Sequence, residues 1–321
     1  MNKNSKIYIA GHCGLVGSAV MRNLKTDGYT SLILKTHNEL DLLNQTAVNN
    51  FFEEEKPEYV FLAAAKVGGI GANSAYPADF IYQNLMIGIN VIHAAYKHGV
   101  KKLMNLGSSC IYPKHAPQPM KEEYLLSGLL EPTNEAYAVA KISVIKLCSF
   151  YNQQYGANFL SVMPTNLYGP GDNYDLEKSH VLPALICKFH EAKVSGSDCV
   201  TLWGDGTPKR EFLFSDDLAE ALIMLMNNNN AKDLSNLAGD FVNVGCGVDL
   251  SIKELAEIIS DIVYKDTSGR TLRINWDNSK PNGTPQKLLD VSRISSLEFT
   301  PKTSLTEGIR KTYEDFINNY C

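Results

Sequence analysis

The chain alternates short apolar runs with longer segments in which apolar residues recur at helical spacing. The apolar runs predict strands at residues 6–10, 31–34, 59–64, 102–106, 159–163 and 241–244. The segments of helical spacing predict helices at residues 18–25, 47–55, 80–96, 135–155, 216–226, 251–263 and 304–320. Strands that alternate with helices form parallel sheets covered on both faces. The pattern therefore predicts an α/β fold with a doubly wound parallel sheet.

The regular alternation weakens after residue 164, where prolines and glycines interrupt the chain often. A length of 321 residues, at about 150 residues per domain, suggests two domains. We expect the doubly wound domain at residues 1–167, with residues 212–244 returning to it. Residues 168–211 and 245–321 are then expected to form a smaller, irregular α/β domain.

Composition and charge exclude several classes of protein. Apolar residues make up 44% of the chain and charged residues 20%, as in an ordinary globular protein. The net charge of −5 and the lack of a strongly basic segment argue against a nucleic-acid partner. No apolar run approaches the roughly 18 residues of a membrane span, and the N-terminus lacks the pattern of a signal peptide. We therefore expect a cytoplasmic protein without a membrane partner.

Seven cysteines are scattered along the chain without a C-x-x-C pair. Their odd number and their spacing argue against a disulfide framework and against a zinc site, so we expect no bound metal. Most of the cysteines are expected to be small residues of the core, as free cysteines usually are.

Gly11, Gly14 and Gly17 lie between the first predicted strand and the first predicted helix, in the pattern G-x-x-G-x-x-G. Glycines at this junction allow a tight turn and a close approach of the backbone to a pyrophosphate, which the helix N-terminus then binds. The alternative is a turn with a purely structural role. Because strand, loop and helix come in the order that the mechanism requires, we interpret the segment as the dinucleotide loop of a Rossmann-type domain.

The residues after the second predicted strand bear on the choice of cofactor. An acidic residue about 20 positions after the loop would bind the ribose hydroxyls of NAD. Lys35, Thr36 and His37 occupy this place, and the first carboxylate is that of Glu39. Cationic or neutral side chains there tolerate a 2′-phosphate, so the sequence favours NADP. The alternative for Lys35 is a solvated surface side chain.

Tyr137 and Lys141 form a Y-x-x-x-K pattern in the predicted helix at residues 135–155. Residues four apart lie on one face of a helix, about 6 Å apart along its axis. An ammonium beside a phenol is expected to lower the phenol pKa, so that the tyrosine can exchange a proton with a carbonyl oxygen. Ser108 follows the predicted strand at residues 102–106, at the sheet edge where such folds carry their sites, and can hold the same oxygen.

The glycine loop, the serine and the Y-x-x-x-K pair, in this order, resemble the short-chain dehydrogenase/reductase pattern. The length resembles the extended branch of that family, which acts on nucleotide sugars. Further segments closely resemble the GDP-L-fucose synthase family over nearly the whole chain, at residues 63–70, 107–114, 131–135, 164–170 and 279–285. The resemblance implies a homodimer that converts GDP-4-keto-6-deoxymannose by epimerisation at C3 and C5 and then reduces the C4 ketone with NADPH.

In that family a cysteine and a histidine exchange the ring protons, and the matching positions are Cys110 and His180. From the local sequence alone, we would interpret Cys110 as a structural residue and His180 as a surface residue. Protons beside a ketone can be removed where the enolate oxygen is stabilised, as Ser108 and Tyr137 would do here. A thiol and an imidazole suit the exchange because both can titrate near neutral pH.

The resemblance also implies contacts with cofactor and substrate. The cofactor contacts would be Gly11, His12, Cys13, Gly14, Leu15, Val16, Gly17, Lys35, His37, Asp41, Leu42, Ala63, Ala64, Leu106, Gly107, Lys141, Pro164, Asn166, Leu167 and His180. The substrate contacts would be Ser109, Lys188, Trp203, Arg210 and Asn282. For Arg210 the guanidinium offers bidentate bonds to phosphate or sugar oxygens, and the alternative is an ion pair with a carboxylate such as Asp216.

The chain departs from the family pattern at four positions. Cys13 and His37 stand where the family often has arginines associated with the 2′-phosphate of NADP, which leaves NADH use open. Asn282 and Gln286 stand where the family commonly has an aspartate and a basic residue, which hints at a different sugar.

Three functions are therefore weighed. The first is the bifunctional epimerase/reductase, which Cys110 and His180 favour. The second is a C4 reductase of a related GDP-4-keto sugar, such as a heptose, without epimerisation. The third is a non-catalytic NADP-binding protein, against which the intact Ser108, Tyr137 and Lys141 argue.

Overall fold

The computed structural model describes residues 1–176, 179–236, 241–264, 272–279 and 282–320. Within these ranges the strands are β1 (Ile7–Ala10), β2 (Leu32–Ile33), β3 (Tyr59–Leu62), β4 (Lys102–Leu106), β5 (Phe159–Pro164), β6 (Asn166–Tyr168), β7 (Cys199–Trp203), β8 (Lys209–Phe214), β9 (Val242–Val244), β10 (Asp249–Ser251), β11 (Arg273–Asp277) and β12 (Gln286–Lys287). The helices are α1 (Leu15–Thr26), α2 (Gln45–Glu55), α3 (Ile70–Ala75), α4 (Pro77–Lys97), α5 (Glu135–Tyr155), α6 (Val181–Ser195), α7 (Ser215–Asn228), α8 (Ala231–Asn236), α9 (Ile252–Val263), α10 (Ser292–Ser296) and α11 (Leu305–Tyr320).

The main sheet has six parallel strands in the order β2-β1-β3-β4-β5-β9. Helices cover both of its faces, so the predicted Rossmann-type α/β fold is confirmed. The strand order changes direction between β1 and β3, because β2 adds on one side of β1 and β3 on the other. In open α/β sheets this switch point is where ligands bind, beyond the carboxyl ends of the strands.

Each face of the main sheet has its own core. On one face α1 and α7 pack together, with Val20 and Leu222 fully buried. On the other face α2, α4 and α5 pack against the strands, with Phe52 and Val91 fully buried. Helices α4 and α5 approach closely at Gly88, where a Cβ atom would lie 2.4 Å from a methyl carbon of Val144. These contacts hold α5 rigidly beneath the carboxyl ends of β4 and β5.

A second, smaller sheet is built around β8. Strand β8 pairs with β6, β10 and β12, and β7 pairs with β11 in a separate two-stranded sheet. Helices α6, α9 and α11 cover these strands and bury Phe189, Leu255, Ile259 and Ile309. The sequence pattern did not predict the strands of these two sheets.

Glu211 ties the second sheet to distant parts of the chain. Its carboxylate accepts hydrogen bonds from the backbone N–H of Gly247, at 2.7 Å, and of Leu289, at 3.0 Å. Its carbonyl oxygen accepts from the side chains of Thr165 and Asn166. The residue is completely buried, and burial raises its pKa. A buried carboxylate of this kind is tolerated only because the backbone N–H groups of Gly247 and Leu289 donate hydrogen bonds to it.

The predicted helix at residues 135–155 and the predicted strand at residues 102–106 coincide with α5 and β4, and the other predicted elements differ from the observed ones by a few residues at their ends. The expectation that most cysteines lie in the core was wrong. Of the six free cysteines that the structure describes, only Cys110 and Cys148 are buried, and Cys13 is exposed. No helix in the described part of the chain has the length and apolar character that crossing a bilayer requires.

Asp172 is a buried carboxyl group, 5% exposed, in the loop after β6. One oxygen accepts from the backbone N–H of Asn173, and the other has no partner among the described residues. Burial raises the pKa of Asp172 to about 7. The folded state therefore holds this proton more tightly than the unfolded state does, and the stability that this confers is lost as the pH rises from about 4 to about 7.

Asp172→Asn is expected to remove this pH dependence. Between pH 5 and pH 8 the wild type should lose stability on the order of 2 kcal/mol more than the variant does. Urea unfolding at the two pH values measures the difference. Asp27→Asn, at an exposed aspartate, is the matched control and should follow the wild type. Equal losses in wild type and Asp172→Asn would contradict the expectation.

Candidate active site

The glycine loop follows β1 and leads directly into α1. Gly11 has φ +85°, and its carbonyl accepts from the N–H of Gly14 at 3.0 Å. A Cβ atom on Gly17 would lie 2.1 Å from the Gly11 oxygen, so only glycine fits there. Helix α1 has no side-chain cap at Gly14 and no acidic residue in its first turn. Its N-terminal N–H groups and dipole therefore suit a pyrophosphate, and the residues fit a dinucleotide cofactor.

The other candidate cofactor residues of the first half lie at the carboxyl ends of β2 and β3. A Cβ atom on Gly11 would lie 2.7 Å from the backbone nitrogen of Ala64, so the end of β3 touches the loop. Lys35 is 3.5 Å from Glu55, which makes it one half of an ion pair and not a fully solvated side chain. His37 lies 3.8 Å from Asp41 and is largely exposed.

Glu39, the first carboxylate after β2, is held by Thr36. Its side chain accepts from the backbone N–H of Thr36 at 2.8 Å and from the hydroxyl at 2.7 Å. These hydrogen bonds, with smaller effects from Lys35 and His12, lower the pKa of Glu39. In the loop itself, the thiol of Cys13 lies 3.3 Å from Nε2 of His12. The edge of the sheet that would face the adenosine ribose of a bound dinucleotide therefore carries both cationic and anionic side chains. None of the residues named there is an arginine.

Ser108, Cys110, Tyr137 and Lys141 come together at the carboxyl end of β4. Ser108 caps the short turn Ser109–Ile111, where its hydroxyl oxygen accepts a hydrogen bond from the backbone N–H of Cys110 at 3.4 Å. The same hydroxyl is near enough to the Cys110 thiol and the Tyr137 phenol to lower the pKa of both groups. The Lys141 ammonium donates to the carbonyl of Leu106 at 2.8 Å and lies 5.7 Å from the centroid of the Tyr137 ring.

The pKa of Tyr137 differs from the expectation drawn from the sequence. Burial raises it, the nearby Cys110 raises it further, and the hydrogen bond from Ser108 lowers it by less. Burial lowers the pKa of Lys141 to about 8, against an opposing effect of Cys110. The expected lowering of the Tyr137 pKa by Lys141 is therefore not seen, because burial outweighs it. Tyr137 stays protonated at neutral pH, as a proton donor must be.

His180 comes from a different element and sits at the N-terminal cap of α6. It remains accessible to solvent, and the surrounding protein nonetheless desolvates the ring enough to lower its pKa. It precedes α6 in the chain, whereas Ser108 and Cys110 lie after β4 and Tyr137 lies on α5. The remaining candidate cofactor residues lie at the carboxyl ends of β4 and β5 and within β6: Leu106, Gly107, Pro164, Asn166 and Leu167.

Three of the candidate substrate residues lie on α6, β7 and β8. The Lys188 ammonium is 5.7 Å from the centroid of the Trp203 ring, and Trp203 is 63% exposed. Burial lowers the pKa values of Lys188 and Arg210. Asp216, the alternative partner for Arg210, is instead bound by Arg22 at 3.2 Å. The ion-pair alternative with Asp216 is therefore wrong, and the guanidinium of Arg210 instead donates to the backbone carbonyl of Lys209 at 2.7 Å.

The side chains of Asn282 and Gln286 have partners within the protein. Asn282 accepts from the backbone N–H of Asp205 at 2.9 Å and lies close enough to the carboxylate of that residue to lower its pKa. Gln286 donates to the carboxylate of Asp249 at 2.5 Å. Both side chains that depart from the family pattern are thus held by neighbouring residues. Residues 280–281 of the same segment lie outside the described residues.

Asn282→Asp is expected to loosen the loop that carries Trp203, because two carboxylates would then face each other at positions 205 and 282. The KM for the GDP-sugar should rise about fivefold, as expected for a like-charge repulsion of about 1 kcal/mol in water. Steady-state kinetics measures it. The double variant Asp205→Asn/Asn282→Asp removes the repulsion and should recover the wild-type KM. A double variant as impaired as the single one would refute this explanation.

Three charged residues near Cys110 were missed from the sequence. Lys114, Glu131 and Lys287 line a small cavity together with Cys110. Lys114 pairs with Glu131 at 3.1 Å. Their side chains lie in segments without a recognisable spacing, so only the fold brings them together. Among the described residues there is no cluster of histidine, cysteine and carboxylate side chains suited to a metal ion.

A Rossmann-type sheet, a dinucleotide loop at its switch point and a Ser–Tyr–Lys group at the next strand define an NAD(P)-dependent oxidoreductase of the short-chain dehydrogenase/reductase class. A family model described as the NAD dependent epimerase/dehydratase family matches residues 7–245. GDP-L-fucose synthase 1 of Arabidopsis thaliana is 54% identical over 320 residues, which cover 100% of this chain and 95% of that protein. The GDP-L-fucose synthase of Escherichia coli (strain K12) is 53% identical over 98% of this chain and 97% of its own length.

A solved structure of a GDP-mannoheptose C4 reductase from Campylobacter jejuni, with NADP bound, superposes with a TM-score of 0.89. It is 44% identical and covers 99% of both chains. The chain therefore belongs to the NAD dependent epimerase/dehydratase family and, within it, to the group of the GDP-L-fucose synthases.

Proposed function

We propose that this protein is an NADPH-dependent bifunctional epimerase/reductase that converts GDP-4-keto-6-deoxymannose to GDP-L-fucose. The observation that carries the proposal is the buried thiol of Cys110, which lies in the turn capped by Ser108 and close to Tyr137. A plain reductase needs only the serine, the tyrosine and the lysine. A buried thiol at the same oxygen-binding point adds a group that can exchange a proton beside a ketone. The names of the relatives with more than 50% identity agree with this reaction.

The residues divide the reaction between them. Ser108 and Tyr137 hold the C4 carbonyl oxygen by hydrogen bonds and stabilise the enolate as it forms. Cys110 and His180 remove and return the protons at C3 and C5. When bound, NADPH supplies the hydride for the C4 ketone. Tyr137, which burial keeps protonated, then gives its proton to the C4 oxygen. Lys141 fixes the end of β4 through its hydrogen bond to Leu106.

Two parts of the chain would hold the two ligands. The glycine loop and the carboxyl ends of β2 to β6 would bind NADPH, in a domain formed by residues 1–167 and 212–244. Lys188, Trp203 and Arg210 would bind the GDP group, in a domain formed by residues 168–211 and 245–321. The exposed indole of Trp203 and the guanidinium of Arg210, which forms no ion pair with Asp216, support this division. The free cysteines of the described chain support a reducing, cytoplasmic setting.

The second candidate is a C4 reductase of a GDP-4-keto-heptose without epimerisation, which the similarity to the GDP-mannoheptose C4 reductase of Campylobacter jejuni favours. Deuterium uptake separates the two functions. With GDP-4-keto-6-deoxymannose in D₂O, the bifunctional enzyme incorporates solvent deuterium at C3 and C5 of the product. A product without deuterium at either carbon would refute the epimerase function and leave the reductase.

The exposed face of α4 and α5 supports a homodimer. Tyr82, Ile89 and Tyr96 recur every seven residues along α4 and are 59%, 40% and 38% exposed. On α5, Val139 and Phe150 are 37% and 58% exposed. Apolar residues at heptad spacing on neighbouring helices suit a four-helix interface with a second copy.

Ile89→Arg is expected to convert the dimer to a monomer, because it places a charge in the centre of the proposed interface. Sedimentation velocity at micromolar concentration measures the change in mass. Lys97→Arg, near the end of the same helix, keeps the charge and should remain dimeric. A wild-type protein that sediments as a monomer would contradict the proposed interface.

A further inference from the structure

A small cavity of about 10 Å³ lies beside Cys110. It is lined by the thiol and by charged side chains from three separate segments: Lys114, Glu131 and Lys287. The space is no larger than one water molecule requires. Charges that line so small a space act on the thiol with little screening by solvent.

The backbone around Lys287 is fixed on both sides. The N–H of Leu288 donates to the side-chain oxygen of Gln118 at 2.8 Å, and the N–H of Met120 donates to the Leu288 carbonyl at 2.7 Å. Lys287 itself lies opposite Arg210 in the pairing of β12 with β8. The strand therefore fixes the backbone from which the Lys287 side chain reaches the cavity beside Cys110.

The two lysines of the cavity differ in their partners. Lys114 is bound by the carboxylate of Glu131 at 3.1 Å, which offsets its charge. Glu131 is also fixed by the backbone N–H of Thr133, at the turn that leads into α5. The side-chain ammonium of Lys287 has no hydrogen bond or ion pair within the described part of the chain. Burial and the nearby Arg210 lower the pKa of Lys287, whereas Cys110 and Glu131 raise it.

We propose that Lys287 is a positioning residue of the epimerisation site, which acts by stabilising the thiolate form of Cys110. The inference rests on the proposed function, in which Cys110 must accept a ring proton. In that step the proton passes from carbon to the sulfur, and the electron pair of the C–H bond moves to the carbonyl oxygen held by Ser108 and Tyr137. Without a nearby cation, a buried thiol would remain protonated.

The surroundings of Cys110 raise its pKa overall, and Lys287 limits that rise. Burial raises the pKa of the thiol. The hydrogen bond from Ser108 lowers it, and of the two cations that also lower it, Lys287 has a larger effect than Lys141. Lys141 is moreover engaged with the Leu106 carbonyl. Of these two cations, Lys287 thus has the larger effect on the thiol, and its ammonium is not bound to another group of the described chain.

The test is the rate at which iodoacetamide alkylates Cys110 in the full-length protein without substrate, measured by peptide mass spectrometry from pH 6 to pH 10. The thiolate attacks the reagent, a sulfur–carbon bond forms and iodide leaves. Lys287→Met should lower the rate at pH 8 about tenfold, because the thiolate fraction falls by about one pKa unit. Lys287→Arg keeps the charge and should restore most of the rate.

The double variant Lys114→Met/Glu131→Gln is the matched control, since it removes a lysine of the same cavity together with the carboxylate that offsets it. The net charge beside the thiol is unchanged, so the alkylation rate should stay within about twofold of the wild type. Lys287→Gln, which is polar and uncharged, should behave as Lys287→Met does and covers the case in which the methionine variant fails to fold. An unchanged rate in a folded, uncharged Lys287 variant would overturn the proposal, and so would an equal loss in the double variant. Because no substrate is present, this result is independent of the deuterium experiment that tests the reaction itself.

Discussion

Tyr137→Phe should abolish reduction of the ketone while part of the solvent exchange at C3 and C5 survives. The phenol is the proton donor to the C4 oxygen, and burial keeps it protonated. Loss of a general acid costs about 10²- to 10⁴-fold in rate. The exchange steps depend on Cys110 and His180, and Ser108 still offers one hydrogen bond to the enolate oxygen. The loss of NADPH absorbance measures reduction, and mass spectrometry of substrate recovered from D₂O measures exchange.

Tyr8→Phe is the matched control for this experiment. Tyr8 is also a buried tyrosine, 1% exposed, but it lies in β1 among Phe51 and Phe52. Its variant should keep both reduction and exchange. If exchange disappeared together with reduction in Tyr137→Phe, the tyrosine would also serve the epimerisation, and the division of roles proposed above would be wrong.

Cys110→Ser is expected to have the second large effect, on epimerisation alone. A serine hydroxyl is far less acidic than a thiol and cannot act as a base at neutral pH, so deuterium uptake should fall by about 10²-fold or more. The affinity for NADPH should stay within about twofold, because the glycine loop is untouched. Fluorescence titration with NADPH and deuterium incorporation measure the two effects separately.

Cys148→Ser provides the comparison for a buried cysteine without a catalytic role. Cys148 is 1% exposed in α5, and burial raises its pKa to about 12. Its variant should keep deuterium uptake near the wild-type level. Full deuterium uptake in Cys110→Ser would show that another residue serves as the base. The buried thiol of Cys110 would then no longer support the bifunctional mechanism.

The sequence predicted the main sheet well because its signals are local. Helix α5 was predicted at its observed bounds, since apolar spacing defines its length and Gly156, at φ +66°, ends it. The glycine loop and the Y-x-x-x-K pair likewise depend on spacing within a single strand–turn–helix unit. These are the parts of the site in which a few adjacent residues determine both structure and chemistry.

The second sheet and its share of the site could not be predicted in this way. Strand β12 contains only Gln286 and Lys287, and its partner β8 lies more than 70 residues earlier in the chain. Nothing in the local sequence shows that Asn282 faces Asp205. The pKa of Tyr137 was misjudged for a related reason: its pairing with Lys141 is visible in the sequence, whereas its burial is not.

The buried carboxylate of Glu211 has a consequence for the synthesis of the chain. One of its partners, the N–H of Leu289, is made long after the glycine loop and the Ser–Tyr–Lys group. A carboxylate without its partners is costly to bury, so the second sheet cannot close until Leu289, nine-tenths of the way along the chain, has left the ribosome. The nascent protein would thus complete its glycine loop and its Ser–Tyr–Lys group before the sheet that carries Arg210 can close.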